Sequence, residues 1–205
     1  MILVKRRVVE ELRDLYAGQM AWIVGKGPSL KHLRAEHFGK GPVLTMNESI
    51  LIVQGLGLTN PIYSMQKDGC RMSKQAHACP GECQVQPPMT TPNPDITVIL
   101  QDPGFSEMCL PDHPLRLHVD PVAELGFAEA TEMSVLMCIA IAKLMGCTVI
   151  NFVSCDSLTG DMRTIDVHTL KAEFNVFVGH YAHAVPQVLE AVQEIPHEII
   201  TPGAQ

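Results

Sequence analysis

The chain has 205 residues, 46% hydrophobic and 18% charged, enough apolar material for one domain with a sizeable core. Its net charge is −7 and its one basic cluster is Lys5-Arg6-Arg7, which argues against general nucleic-acid binding, because phosphate contacts supply most of that affinity. No segment reaches the roughly 18 apolar residues that span a membrane, and the start lacks the charge order and cleavage site of a signal peptide, so a cytoplasmic protein is expected.

In chain order, residues 3–17 carry apolar positions at helical spacing and stop at Gly18. This predicts an amphipathic helix, a surface that would support a homo-oligomer. Ala21–Val24 is a short apolar run of the kind buried in parallel sheets. A short helical stretch follows to about His37. Pro42–Met46 is a second strand, Glu48–Gln54 opens a helix, and Pro61–Met65 is a third strand. From Gly69 to Asp95 the composition shifts to cysteine and proline, which predicts an irregular inserted flap. Ile96–Leu100 and Leu115–Val119 return to strand character.

Thr131–Gly146 is apolar almost all round and predicts a buried helix, with Thr131 as N-cap and Gly146 closing it. Met133, Met137 and Met145 fall at core positions of that helix. Thr148–Ser154 is a strongly β-prone strand ending near Asp156. After a polar segment, Val185–Ile195 reads as a final helix with Pro186 in its first turn, and His197–Thr201 as an edge strand. The order of elements predicts an α/β fold: one Rossmann-like, three-layer domain over residues 1–205 with a mostly parallel sheet. The seven cysteines, scattered through apolar runs, read as reduced thiols.

The most informative stretch is Trp22–Leu30. A strand runs into Gly25-Lys26-Gly27, and a helix begins at Pro28 or Ser29. Glycines let the backbone turn sharply and approach a ligand, and proline is favoured at a first helical position. Free amides at that helix start suit a phosphate, with Ser29 and Lys26 adding a hydrogen bond and a positive charge. The plainer alternative is a tight strand-to-helix turn with no ligand. The loop matches neither standard nucleotide-binding glycine pattern.

Ile23–Leu30 (IVGKGPSL) resembles the first motif of a superfamily with two branches: the small bacterial sialyltransferases that use CMP-sialic acid, and the Maf flagellin glycosyltransferase-like and hydroxymethylpterin diphosphokinase-like proteins. The following strand, Val43–Asn47, ends in asparagine as theirs does. Ser134–Asp156 is similar to their block of serine, apolar helix, Leu-Gly, strand and Asp, and Phe177–Leu189 to a segment in which Gly-His supplies a general base. The resemblance implies a nucleotide at the carboxyl ends of the strands. By position, Gly25, Lys26, Gly27, Pro28 and Ser29 would line phosphate and ribose. Asn47 would bind nucleotide or substrate, Ser134, Ser154 and Asp156 would surround base and sugar, and His180 would be the base. The sequence departs from the sialyltransferases in having no tyrosine between Asp156 and Tyr181, and Ser154 where they have glycine.

Other constellations stand beside this one. His180 and His183 are three apart, and a neutral imidazole can take a proton from an acceptor hydroxyl. Cys70, His77, Cys79 and Cys83 form a candidate zinc set, against the alternative of free thiols in a flap. Asp68, Asp102, Asp156, Asp161 and Asp166 follow strands or lie in the loop after one, where carboxylates can hold Mg²⁺ beside a diphosphate or simply face solvent. Three functions follow as expectations. The first is a glycosyltransferase-like protein using a nucleotide-sugar donor of CMP type. The second is a Mg²⁺-dependent diphosphokinase-like enzyme using ATP. The third is a non-catalytic nucleotide-binding protein. Compact members of such families occur in phage genomes, which the resemblance leaves open here.

Overall fold

The computed structural model describes residues 8–66, 92–101, 113–120, 124–126, 134–167, 169–174 and 178–203. Most of the Cys/Pro-rich flap, the Thr131 cap and Met133 lie outside them.

Seven strands form one sheet: β1 (Met20–Val24), β2 (Val43–Met46), β3 (Ile62–Gln66), β4 (Thr97–Gln101), β5 (Arg116–Val119), β6 (Val149–Val153) and β9 (His197–Ile200). Their order is β5-β4-β3-β2-β1-β6-β9, and every pairing is parallel. Two further strands, β7 (Arg163–Asp166) and β8 (Lys171–Phe174), make a separate antiparallel hairpin. Among the described residues, α1 (Ile50–Val53), α2 (Ser134–Leu144) and α3 (Val178–Ala191) are α-helical. This is the expected α/β architecture with a parallel sheet.

Because side chains alternate along a strand, β1 feeds two cores. Ala21 and Ile23 pack with Leu44, Met65, Phe152 and the buried side of α2 on one face. Trp22 and Val24 pack with Leu30, Leu33, Val153 and Ile165 on the other. Six α2 residues are buried, from Val135 to Ala142, which is why the helix is apolar all round. Met137 and Met145 are core residues as read from the sequence. Gly146 closes the helix at φ +77, where a Cβ would stand 2.9 Å from the Ala17 backbone. Cys138, Cys147 and Cys155 are free and buried.

Two expectations need correction, and one segment gains a structure. The described part of the N-terminal helix is a 3₁₀ turn, Val9–Leu12, followed by turns. Tertiary pairing overrides the helical pattern: the amides of Asp14, Tyr16 and Gly18 donate to the carbonyls of Leu144, Met145 and Gly146, so they are not available to carbonyls of their own segment. Pro186 lies inside α3 rather than in its first turn, because the helix begins at Val178. The polar segment after Asp156 folds into the β7–β8 hairpin, tied to the first loop by Ile165 N–H donating to the Lys26 carbonyl at 2.8 Å.

Candidate functional site

The chain builds outward from β1 to β5 and then returns to place β6 on the other side of β1. The strand order reverses there, and in open parallel sheets the carboxyl ends at such a point form a crevice. Two loops meet at this point: Gly25–Ser29 after β1 and Ser154–Asp156 after β6. They are laced together by Gly25 N–H to the Val153 carbonyl at 2.9 Å and Gly27 N–H to the Ser154 carbonyl at 2.8 Å. The glycines are needed for this contact. A Cβ on Gly25 would stand 2.5 Å from the Ser154 carbonyl oxygen, and one on Gly27 would stand 1.9 Å from Asp156 Oδ2.

Asp156 is 3% exposed, and its Oδ2 accepts a hydrogen bond from Ser29 N–H at 2.9 Å. The Leu30 amide donates to the Gly27 carbonyl, and Pro28 has no N–H to offer. The helix that follows is a 3₁₀ helix of five residues, Pro28–His32. The loop's amides at 25, 27, 29 and 30 are thus satisfied within the chain. The partial positive charge of that helix start has drawn in a carboxylate of the protein itself, where the sequence suggested an open phosphate seat. Lys26 is also engaged: its Nζ lies 2.7 Å from Glu48 Oε2, both side chains being largely buried.

What the junction leaves unsatisfied is on its side chains. Ser29 Oγ, Ser154 Oγ and Asp156 Oδ1 are buried without a hydrogen-bond partner. Buried polar atoms in folded proteins nearly always have one, so three orphans at one junction demand an explanation. Backbone conformation singles out the same place. Asn47, at the end of β2, has φ +48, and Ser154, at the end of β6, has φ +54. A left-handed conformation costs free energy at serine and little at asparagine, and such positions collect at functional sites. The left-handed turn at Asn47 is braced by Gln66, whose Nε2 donates to the Asn47 carbonyl at 3.1 Å. Ser49 ties the same turn down, accepting from Met46 N–H and donating to the Val24 carbonyl. Cys155, beside the loop, has its thiol pKa pushed up by burial, then by the nearby Asp156 charge, and is not a nucleophile near neutral pH.

The structure gathers Gly25, Lys26, Gly27, Pro28, Ser29, Ser154 and Asp156 at the switch point, with Asn47 on the adjacent strand end. Ser134 opens α2, which runs back against the parallel strands and so begins at the carboxyl end. His180 is on the first turn of α3, a helix that packs against the turn Asp156–Thr159. Its side chain, with Asp68, Asp102, Cys70, His77, Cys79 and Cys83, lies outside what is described. Among the described residues no group of three or more His, Cys, Asp or Glu is placed to hold a metal ion. Asp161 is bound by Arg163, whose hydrogen bond holds its carboxyl below the usual range. Sequence reasoning missed Glu48, Gln66 and Gln101. The last two are polar residues closing apolar strands, a signal that was present in the sequence, and each leaves its Oε1 buried without a partner.

Compared by sequence with known proteins, the chain matches no family model and no curated protein. Compared by structure, it is similar to the sialyltransferase CstII from Campylobacter jejuni solved with the substrate analogue cytidine-5'-monophosphate, with a TM-score of 0.37 and 14% identity over 92% of this chain and 82% of that one. It is equally similar to CST-II with a trisaccharide acceptor and CMP, at a TM-score of 0.37 and 14% identity over 91% of this chain and 82% of that one. Among the described residues no helix is long and apolar enough to cross a membrane.

Proposed function

We propose that this chain binds a nucleotide or nucleotide-sugar in the crevice at the β1–β6 switch point and acts as a glycosyltransferase-like protein. The observation that carries the reading is the cluster of buried, unpartnered polar atoms on Ser29, Ser154 and Asp156 where the strand order reverses. The motif resemblance of Ile23–Leu30 and Ser134–Asp156 supports the ligand class. The amide accounting refines the pose. With Ser29 N–H on Asp156, the loop recognises hydrogen-bond donors better than phosphate. A ribose or sugar hydroxyl, or an exocyclic amine, donates to Asp156 Oδ1. The phosphate lies toward Lys26, which exchanges Glu48 for it.

His180 is the general base of the transfer reading. It would take the proton of an acceptor hydroxyl as that oxygen attacks the donor sugar carbon and the nucleotide leaves with its phosphate. Binding without transfer is the second reading. It is favoured by Asp156 occupying an amide that would otherwise stabilise a departing phosphate.

A thermal-shift screen with CMP, CMP-, UDP- and GDP-sugars, ATP and pterins, with and without Mg²⁺, tests the proposal. A raised Tm with one nucleotide class is expected, since a ligand of the native state stabilises by mass action. A flat response across the panel rejects nucleotide binding. If His180→Ala keeps the shift and the wild type hydrolyses or transfers nothing, the non-catalytic reading replaces the enzyme.

A further inference from the structure

Gln66 ends β3 and is 1% exposed. Its Nε2 makes two contacts, one to the Asn47 carbonyl at 3.1 Å and one to Ser64 Oγ at 2.6 Å. A carbonyl oxygen can only accept, so the orientation of the amide is fixed by chemistry: the nitrogen faces Asn47 and the oxygen faces away. That oxygen, Oε1, is buried and has no hydrogen-bond partner. A side chain used only to brace Asn47 would gain nothing from leaving an acceptor bare, because an unmade buried hydrogen bond is costly.

We infer that Gln66 is a ligand-reading residue, its Oε1 accepting a hydrogen bond from a hydroxyl or amide N–H on the sugar half of a nucleotide-sugar. The inference rests on the nucleotide reading above and names a second point of contact. Asp156 lies against the loop leaving β1, and Gln66 lies two strands away at the end of β3. Neighbouring strands are about 4.8 Å apart, so the two carboxyl-end acceptors are roughly 10 Å apart across the sheet. A ligand with donors at each end and long enough to cross two strands meets both. Gln66 also couples the two ends, since the same amide that reads the sugar braces the left-handed turn at Asn47.

The test is isothermal titration of the full chain with CMP and with CMP-N-acetylneuraminic acid, comparing wild type, Gln66→Met and Gln66→Glu. Gln66→Met should weaken the CMP-sugar about tenfold and CMP less than about twofold, whereas Gln66→Glu, which keeps an acceptor oxygen, should hold the CMP-sugar within about threefold. Both variants should lower Tm, because both lose the donor to Asn47. Equal weakening of the two ligands, or none, assigns Gln66 to bracing alone and overturns the inference. If wild type binds neither probe, the CMP form of the nucleotide reading fails by itself. A high-resolution crystal structure of the unliganded protein then decides Gln66. A protein donor on Oε1 overturns the inference, and a water or solute donor there upholds an open acceptor.

Discussion

The two ends of the parallel sheet are built to different standards. At the amino end every connection named here closes on the backbone. Thr148 N–H meets the Gln19 carbonyl, Trp22 meets Pro42, Val43 meets Pro61 and Ile150 meets Pro196. Asn60 Nδ2 bridges the carbonyls of Gly39 and Gly41. The left-handed positions there fall to Gly18, Gly41 and Gly146, with Asp14, a tolerant residue type, as the exception. At the carboxyl end Gly160 and Gly203 are left-handed too, but so are the non-glycine residues Asn47 and Ser154, and buried acceptors on Gln66, Gln101 and Asp156 are bare. One end is finished for stability. The other holds a left-handed serine and buried polar atoms with no protein partner among the described residues.

The sharpest way to break this contrast is to add one methyl group at each end. Gly41 has φ +111, and a Cβ there would stand 1.9 Å from the Met20 carbonyl oxygen, which is backbone. Gly41→Ala should cost about 3 kcal/mol or more, and no single second substitution should recover it. Gly27→Ala meets a side chain instead, Asp156 Oδ2, also at 1.9 Å. It should cost about 3 kcal/mol alone, but less than half of that in an Asp156→Gly background. Urea unfolding of the singles and the double measures both. Equal costs with and without Asp156 would show that the junction is held by backbone, like the other end.

A smaller effect separates function from stability at Asp156. Asp156→Asn keeps an oxygen for Ser29 N–H and should change stability by less than about 1 kcal/mol, while weakening nucleotide binding at least about tenfold through the lost charged acceptor. Binding by titration and Tm by calorimetry read the two quantities on one sample. Smaller still, Ser154→Gly removes the left-handed strain and an orphan hydroxyl and should add about 0.5 kcal/mol of stability. A rise in stability with a fall in affinity would show that strain is kept there for the ligand. A fall in stability would show that Ser154 Oγ has a structural use.

The sheet was legible because its signals are one-dimensional. Short runs such as Trp22–Val24 and Val149–Val153, rich in β-branched and aromatic residues and bounded by glycine or a polar turn, are too short for helices and read as buried strands. The N-terminal segment was not legible, because its pattern is helical and only the α2–β6 turn, far away in sequence, claims its amides. The candidate site was half legible. Gly25, Gly27, Ser29, Asn47 and Asp156 were found by motif, but their relation was reversed: the glycines make room for Asp156, and Asp156 fills the amides meant for phosphate. No spacing rule joins residues 29 and 156. Glu48 and Gln66 were missed because a single polar residue after an apolar strand has many ordinary uses, and only burial shows that Gln66 is starved of a partner.

The mildest test concerns the finished half of the molecule. Burial raises the thiol pKa of Cys147 from its ordinary 9.0 to about 11, and pushes Cys138 and Cys155 and the Tyr63 phenol up as well. Each group is protonated in both states at neutral pH, so it contributes nothing to pH dependence there. As pH rises past 9.0 the unfolded Cys147 thiol ionises while the folded one stays neutral, and the unfolded state gains. Stability is therefore full below pH 9 and is lost progressively toward about 11. Urea midpoints should be level from pH 7 to 8.5 and fall by pH 10. A Cys147→Ala variant should show a shallower fall, the other three groups keeping part of it. An unchanged slope would mean that Cys147 reaches solvent in the native state, and that the amino end is less tightly closed than its hydrogen bonds require.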